Sequence, residues 1–238
     1  MKTIKVRGLV IREYEAGEAD KRLLLLCKGQ GRVLAYARGA RKPRSKFLAA
    51  AQIFTYSDFI LAQGKGFYSI AQAEVIESFY NLRTDYDRLC AAHSITELLE
   101  KTLLENANCD ELLLLTLKSL SNLAKEKFSP VQITSVFFMR FFDLYGFRPH
   151  SDECAVCNLP VVQMNDKYFW GAEGITCAEH AGNFPISGAA VAAITHILSS
   201  GLSQAFQFFA HESVLQELQG AAKLLLYSHL DEFVKGKI

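Results

Sequence analysis

Acidic residues are missing from one long stretch of this 238-residue chain. Between Lys21 and Ser57 there is no Asp or Glu, although the surface of a globular protein normally mixes charges of both signs. The same stretch carries nine cations: Lys21, Arg22, Lys28, Arg32, Arg38, Arg41, Lys42, Arg44 and Lys46. An acid-free basic stretch favours a polyanionic partner such as a nucleic-acid backbone, and a merely solvated basic loop is the alternative.

The chain also lacks the signals of export, membrane insertion and nucleotide hydrolysis. Its first residues have no apolar segment of the kind found in signal peptides, and no stretch approaches the roughly 20 apolar residues of a membrane span. The phosphate-binding loop, the dinucleotide fingerprint and the Gly-x-Ser-x-Gly nucleophile motif are all missing. These absences predict a cytoplasmic protein that is not an enzyme and has no membrane partner.

Charge is distributed unevenly along the chain. Residues 1–80 hold 14 Lys and Arg against 7 Asp and Glu, a net charge of +7. Residues 81–238 hold 12 against 18, a net charge of −6. This asymmetry predicts a basic module attached to a neutral or acidic one.

Residues 1–80 have the composition of five short strands. Polar and β-prone apolar residues interleave, and Gly-x-Gly turns separate neighbouring runs. The predicted strands are Lys5–Arg12, Arg22–Cys27, Arg32–Ala37, Ile53–Leu61 and Phe67–Val75. Five short strands in so short a segment suit a small closed barrel better than a sandwich, and the oligonucleotide-binding barrel (OB fold) is the leading candidate.

Beyond residue 80 the hydrophobic period becomes helical. The predicted helices are Asp85–Glu105, Asp110–Lys127, 130–145, Ser187–Leu198 and Glu212–Val234, and Ser129 is the predicted N-cap of the third. In the third, Phe137, Phe138, Phe141, Phe142 and Tyr145 share a spacing that predicts core rather than base stacking. The predicted fold class is α+β multidomain, with an OB barrel over 1–80, a helical domain over 81–149 and 187–238, and a zinc-binding insertion over 150–186.

Two chelating pairs lie in the irregular segment between the helices. Cys154 and Cys157 form the first pair, and Cys177 and His180 form the second. Between the pairs, Lys167–Gly171 and Gly174–Thr176 look like the short hairpin that such sites use. A two-residue gap within each pair lets both side chains reach one ion, and two such pairs are typical of a tetrahedral structural zinc site. Four protein ligands leave no position for an activated water, which argues against a catalytic zinc. His150 is an outside candidate for a ligand.

The basic segment between the third and fourth strands is the main candidate for contacts to DNA. The candidate phosphate contacts are Arg38, Arg41, Lys42, Arg44 and Lys46, with Lys21, Arg22 and Lys65 as helpers. Candidate base-stacking residues are Tyr36, Tyr56, Phe67 and Tyr68, although a small barrel buries about half of its aromatic residues. Such binding is expected to tolerate many sequences and to depend strongly on salt.

Four segments of the chain resemble one family. They are Gly17-Glu18-Ala19-Asp20, the basic segment Arg38–Lys46, Ala73–Phe79 followed by Leu82-Arg83, and Tyr145–Pro149 ahead of the first cysteine pair. In this order they resemble the RecO family of bacterial DNA repair and recombination mediator proteins, over the chain to about residue 180. His180 stands where the family commonly has Cys, and some members lack the cysteines altogether, so the metal is expected to be structural.

The resemblance implies a non-catalytic role. It implies binding to single- and double-stranded DNA, annealing of complementary strands, and work with RecR to load the recombinase RecA onto coated strands. It also implies contact between the helical domain and the C-terminal tail of single-stranded-DNA-binding protein, for which Arg140, Arg148 and Lys223 are the candidate cations. It places the protein in the cytoplasm, associated with the nucleoid during repair. The alternative is an adaptor whose basic barrel binds an acidic peptide or RNA.

Overall fold

The computed structural model of the chain describes residues 2–235, with side chains as far as residue 230. By packing, the chain divides into two compact units, Met1–Ala124 and Lys125–Ile238. The expected boundaries of the sequence domains, at residues 80, 149 and 186, remain predictions. No helix within the described residues is both long enough and apolar enough to cross a membrane.

The first unit begins with a closed barrel of five strands, which confirms the predicted OB fold. The strands are β1 (Thr3–Ala16), β2 (Asp20–Cys27), β3 (Gly31–Ala37), β4 (Tyr56–Gln63) and β5 (Tyr68–Glu77). Their order around the barrel is β1-β2-β3-β5-β4, and pairing of β1 with β4 closes it. All neighbouring strands are antiparallel except β3 and β5, which run parallel.

Side chains along β3 alternate between the barrel interior and its outer face. Val33, Ala35 and Ala37 are buried inside, whereas Leu34 and Tyr36 are half-buried on the outer face. The segment that follows β3 returns to the core, where Phe47, Ala50 and Ala51 pack with the strand residues. The connection between β3 and β4 therefore begins with the basic segment and continues with residues that pack in the barrel core.

The fourth strand starts later than predicted. Ile53 and Phe54 were expected in the strand, but β4 begins at Tyr56. Phe54 has a φ of 68°, a left-handed conformation that interrupts extended backbone. Its ring is fully buried and meets the His93 ring edge-on at 5.1 Å, and its N–H donates to the Val10 carbonyl at 2.8 Å. Tertiary packing overrides the strand propensity of this segment.

Two helices complete the first unit, α1 (Tyr86–Thr102) and α2 (Asp110–Ala124). Asp85 caps α1 by accepting from the Arg88 N–H at 2.9 Å. The second helix stops three residues before the predicted Lys127, because Glu126 adopts a left-handed φ of 54°. Hydrogen bonds connect the start of α2 and the segment after α1 to the β2–β3 turn and the start of β3. Asp110 accepts from the Gly29 N–H at 2.7 Å, and the Leu104 carbonyl accepts from the Arg32 N–H at 3.0 Å.

The second unit is built on three helices and a small sheet. The helices are α3 (Pro130–Leu144), α4 (Gly188–Ser199) and α5 (Glu212–Lys235), and the strands are β6 (Tyr168–Gly171), β7 (Gly174–Thr176) and β8 (Phe184–Ile186). Ser129 caps α3 as predicted, and Gly146 takes a φ of 84° after its end. The prediction of an aromatic core is confirmed, since Phe137, Phe138, Phe141 and Phe142 are buried.

Candidate nucleic-acid interface and metal centre

The basic loop (residues 38–46) is an exposed arc held at both ends by the barrel core. Ala40 and Phe47 are buried, whereas every residue from Arg41 to Arg44 is exposed. Two hydrogen bonds fix the arc to the β1–β2 turn and the start of β2: the Gly39 N–H donates to the Asp20 carboxylate at 2.7 Å, and the Arg41 N–H donates to the Ala19 carbonyl at 2.9 Å. The local fold therefore displays a row of cations on a restrained backbone.

The five cations of the basic loop fall into two groups. Arg41 forms an ion pair with Glu15 at 3.0 Å and donates to the Gly17 carbonyl at 3.2 Å. Lys46 donates to the Ala71 carbonyl at 3.1 Å and lies 4.8 Å from the centre of the Phe47 ring. The remaining three are exposed and make no side-chain hydrogen bond or ion pair with any described residue: Arg38, Lys42 and Arg44.

The three predicted helpers occupy different environments. Lys21 is mostly buried and pairs with Glu13 at 2.9 Å. Arg22 lies on the outer face with its guanidinium 5.1 Å from the centre of the Tyr14 ring. Lys65 is exposed in the turn between β4 and β5. The stretch without acids in sequence is thus not free of acids in space, because β1 supplies Glu13 and Glu15.

The four candidate stacking residues are partly exposed, and two of them touch. Tyr36 on β3 and Phe67 before β5 meet edge-on, with ring centres 5.6 Å apart. Phe67 keeps 41% of its surface exposed, whereas Tyr36, Tyr56 and Tyr68 are half-buried. Burial is the main cause that raises the pKa of Tyr56. The Tyr36–Phe67 pair therefore offers the more accessible aromatic surface.

The two predicted chelating pairs converge in the second unit. The ligand atoms of Cys154, Cys157, Cys177 and His180 all lie within 4.8 Å of one another. The β6–β7 hairpin brings the pairs together, because the Ile175 carbonyl accepts from the Ala155 N–H at 2.8 Å and Cys177 follows directly after β7. This cluster could hold a metal ion. The outside candidate His150 is not part of it, and its Nδ1 lies 3.7 Å from the Glu153 carboxylate.

Distances within the cluster match a tetrahedral site. With metal–sulfur bonds of about 2.3 Å and metal–nitrogen bonds of about 2.0 Å, tetrahedral angles give separations of about 3.8 Å between two sulfurs and about 3.5 Å between sulfur and nitrogen. The Cys157 and Cys177 Sγ atoms are 3.9 Å apart, and Cys177 Sγ is 3.4 Å from His180 Nδ1. Two separations, which involve Cys157, Cys177 and His180, therefore already match those of a four-coordinate shell.

Electrostatics prepare one thiol of the cluster for metal binding. Burial of Cys154 opposes its ionisation, but backbone N–H groups from Val156, Cys157 and Cys177 outweigh this and lower its pKa to about 6. At Cys157 a hydrogen bond from the Leu159 N–H lowers the pKa of the thiol, but desolvation and the neighbouring Cys154 and Cys177 sulfurs outweigh it, so the pKa of Cys157 is raised. A bound cation would favour the ionised form of both thiols.

Two of the three cations proposed for the partner tail share one carboxylate. Arg140 donates to Asp143 at 3.2 Å and to the Leu198 carbonyl at 3.1 Å. Arg148 donates to the other oxygen of Asp143 at 3.0 Å. Lys223 is exposed on α5. These contacts link α3 to α4 and to the segment after α3, so both arginines have a structural role.

Comparison with known proteins gives one consistent family. The profile described as "Recombination protein O N terminal" matches residues 1–79, and "Recombination protein O C terminal" matches residues 83–237. A DNA repair protein RecO from Acetivibrio thermocellus is 35% identical over 237 residues, covering 98% of this chain and 94% of that protein. DNA repair proteins RecO from Alkaliphilus metalliredigens and Desulfitobacterium hafniense (strain Y51) are each 30% identical, covering 96% of this chain and 94% and 85% of their own lengths. With both profiles spanning nearly the whole chain and the predicted barrel in place, this chain belongs to the RecO family of DNA repair proteins.

Proposed function

We propose that this protein binds single- and double-stranded DNA during recombinational repair, and that its basic loop contacts the phosphates. The observation that carries the proposal is the group Arg38, Lys42 and Arg44, which is exposed, unpaired among the described residues and held on a restrained arc. Cations that are already balanced by acids gain less from a new anion, so these three are the leading contacts, with Arg41, Lys46, Arg22, Lys65 and Lys21 in supporting places. Long cationic side chains can follow a backbone without reading bases.

A triple variant tests this assignment. Arg38→Ala, Lys42→Ala and Arg44→Ala together should weaken binding to single-stranded DNA and reduce the slope of log affinity against log salt by about 0.7 for each lost phosphate contact. The measurement is a fluorescence anisotropy titration at several salt concentrations. The matched control replaces Lys125, Lys127 and Lys167, three exposed lysines of the second unit, with Ala.

The control removes the same charge from the chain as a whole and should leave the slope unchanged. If the loop variant keeps the wild-type slope, the basic loop does not contact phosphate. An adaptor that binds an acidic peptide would ignore oligonucleotides at moderate salt, and a reader of RNA would prefer an RNA strand to the DNA strand of the same sequence. Either result would favour the alternative function.

The wider role we propose is that of a non-catalytic mediator. The protein would anneal complementary strands and, with RecR, help to load RecA onto strands coated by single-stranded-DNA-binding protein, whose C-terminal tail would contact the helical part of the chain. Membership of a family whose curated members are named DNA repair proteins supports this role. Such work takes place at the chromosome, in the bacterial cytoplasm.

We further propose that the cysteine–histidine cluster holds one structural Zn²⁺. Three thiolates and one imidazole are ligands that zinc prefers, and the separations between them suit its tetrahedral geometry. When all four protein ligands are bound, no coordination position remains for water. The ion would therefore stabilise the fold around β6 and β7 rather than catalyse a reaction.

A further inference from the structure

A cavity of about 330 Å³ opens on the outer face of the barrel, where β3 and β5 separate. The parallel pairing between these strands covers only Ala35 with Tyr68 and Tyr36 with Ser69, so the seam is open beside the first half of β3. The side chains that matter for a ligand are Arg32, Gln63, Phe67, Tyr68, Glu105 and Asn106. This volume is near the lower end of ligand sites, which suits one planar group rather than a whole cofactor.

Arg32 brings unused hydrogen-bonding capacity to this cavity. Its backbone N–H is bonded to Leu104, but its side-chain Nε is buried and has no hydrogen-bond partner. No ion pair joins its guanidinium to any described carboxylate, including that of Glu105 in the same cavity. A buried donor without a partner is unfavourable, and a ligand that supplies an acceptor removes that cost.

Phe67 supplies a flat apolar wall next to this donor. Its ring is 41% exposed and is braced by Tyr36, whose ring stands at 74° to it. Tyr36 lies opposite Arg22 on β2, and Arg22 in turn covers the Tyr14 ring. The accessible face of Phe67 therefore lies at one end of a row of neighbouring side chains. Tyr36, Arg22 and Tyr14 continue this row across β3, β2 and β1.

The chemistry of the lining favours a nucleobase over a carboxylate. Gln63 and Asn106 each offer both a donor and an acceptor, as the edge of a base requires, and Phe67 offers a stacking surface. The Glu105 carboxylate would repel the carboxylate of an acidic peptide. Guanine presents two adjacent acceptors, O6 and N7, and the fork of an arginine guanidinium is the group that most often reads them.

The outer face of β3 leads from the cavity towards the basic loop. Arg32, Leu34 and Tyr36 follow one another at two-residue spacing on this face, and Arg38 comes directly after the strand, about 20 Å from Arg32 at 3.3 Å per residue. A strand whose phosphates contact the basic loop can therefore extend along β3 and reach the cavity. Resting on the proposed DNA binding, we infer that this cavity takes one unpaired base of a single DNA strand, and that Arg32 makes guanine the preferred base.

Two oligonucleotides and two variants of the full-length protein test this inference. The probes are a twelve-nucleotide dT strand and the same strand with one central dG, titrated by fluorescence anisotropy. The wild type should bind the dG strand about fivefold more tightly or better, because a bidentate contact discriminates by that order. Arg32→Met removes the donors but keeps an unbranched side chain; the lost charge weakens binding of both strands alike, so the preference for dG should disappear.

The second variant separates stacking from hydrogen bonding. Phe67→Leu should weaken binding of the dG strand by about fivefold or more, which is the order expected for one stacked base. Lys28→Gln is the matched control, since Lys28 is exposed in the β2–β3 turn and does not line the cavity. It should keep the wild-type preference. Thermal unfolding of each variant checks that the barrel is intact.

The outcomes distinguish this site from the function on which it rests. If the wild type binds both strands equally, or if Arg32→Met keeps a preference for dG, the base site is wrong while DNA binding stands. If the wild type binds neither strand, the proposed function itself fails. Displacement of the dG strand by a short acidic peptide that Arg32→Met no longer binds would make the cavity a peptide site and overturn the inference.

Discussion

Gly31, at the start of β3, occupies a position where a side chain is excluded for two separate reasons. Its φ is +64°, and a Cβ built on it would lie 2.7 Å from the carbonyl oxygens of Leu104 and Ala107. Gly29, two residues earlier, has nearly the same φ of +67° but no heavy atom within 4 Å of such a Cβ. The pair therefore separates the cost of a left-handed backbone from the cost of a steric clash.

We expect Gly29→Ala to reduce the free energy of unfolding by about 1–2 kcal/mol, the usual cost of a left-handed non-glycine residue. Gly31→Ala should cost more, about 3 kcal/mol or above, because backbone atoms must also move. Urea unfolding followed by circular dichroism measures both values. Equal losses in the two variants would mean that the segment after α1 shifts freely away from the barrel.

Residue-scale predictions from the sequence succeed where the cause is local. The Gly29-Gln30-Gly31 turn and the Ser129 cap are correctly predicted, because each depends on residues nearby in the chain. The close approach of Leu104 to Gly31 joins residues more than seventy positions apart, and no local pattern contains it. The pairing of Lys21 with Glu13 was missed for a related reason. It depends on the register of β1 against β2, which includes a bulge after Val10.

At the scale of elements, the small sheet around the cysteine–histidine cluster is the part most dependent on its ligands. Its strands β6, β7 and β8 have four, three and three residues, too few to be stable on their own. The paired spacing of the ligands predicted the cluster and the β6–β7 hairpin. The third strand was missed, because Phe184–Ile186 is short and pairs with β6 only through tertiary packing.

Trp170 reports on this element, since it is the single tryptophan of the chain. It is fully buried on β6, and its Nε1–H donates to the Ala221 carbonyl at 3.2 Å. We expect about one equivalent of zinc per chain. Its removal by a chelator should shift Trp170 emission to longer wavelength while most helical circular dichroism is kept, because the ligands lose the ion that holds the hairpin.

Cys154→Ser should reproduce the shift without a chelator. Cys90→Ser is the control, since Cys90 is exposed on α1 and outside the cluster. Zinc loss with unchanged emission would mean that packing against α5 alone holds the hairpin. Finding no metal in protein purified without chelators would contradict the zinc assignment itself.

For the whole molecule, the unequal charge of residues 1–80 and 81–238 was a better predictor of the binding module than the net charge of +1. The excess of +7 in residues 1–80 coincides with the barrel, and three unpaired cations stand together on one connection of that barrel. Composition indicates the sign of the partner, but only the fold shows which cations remain available to it. Glu13 and Glu15 on β1 form ion pairs with Lys21 and Arg41. The sequence alone does not distinguish these two cations from the others of the acid-free stretch.

Annealing of coated strands tests this arrangement in the intact protein. Two complementary strands repel each other, and a protein that neutralises phosphates on both lowers that barrier. We expect the wild type to accelerate annealing of complementary strands coated by single-stranded-DNA-binding protein, with an advantage that falls as salt rises from about 50 to 200 mM. The variant lacking Arg38, Lys42 and Arg44 should lose about tenfold or more of the rate, while the variant lacking Lys125, Lys127 and Lys167 should anneal like the wild type. Fluorescence energy transfer between end-labelled strands follows the reaction. A loop variant that binds DNA weakly but anneals coated strands at the wild-type rate would assign annealing to another surface of the protein, and the basic loop would then serve binding alone.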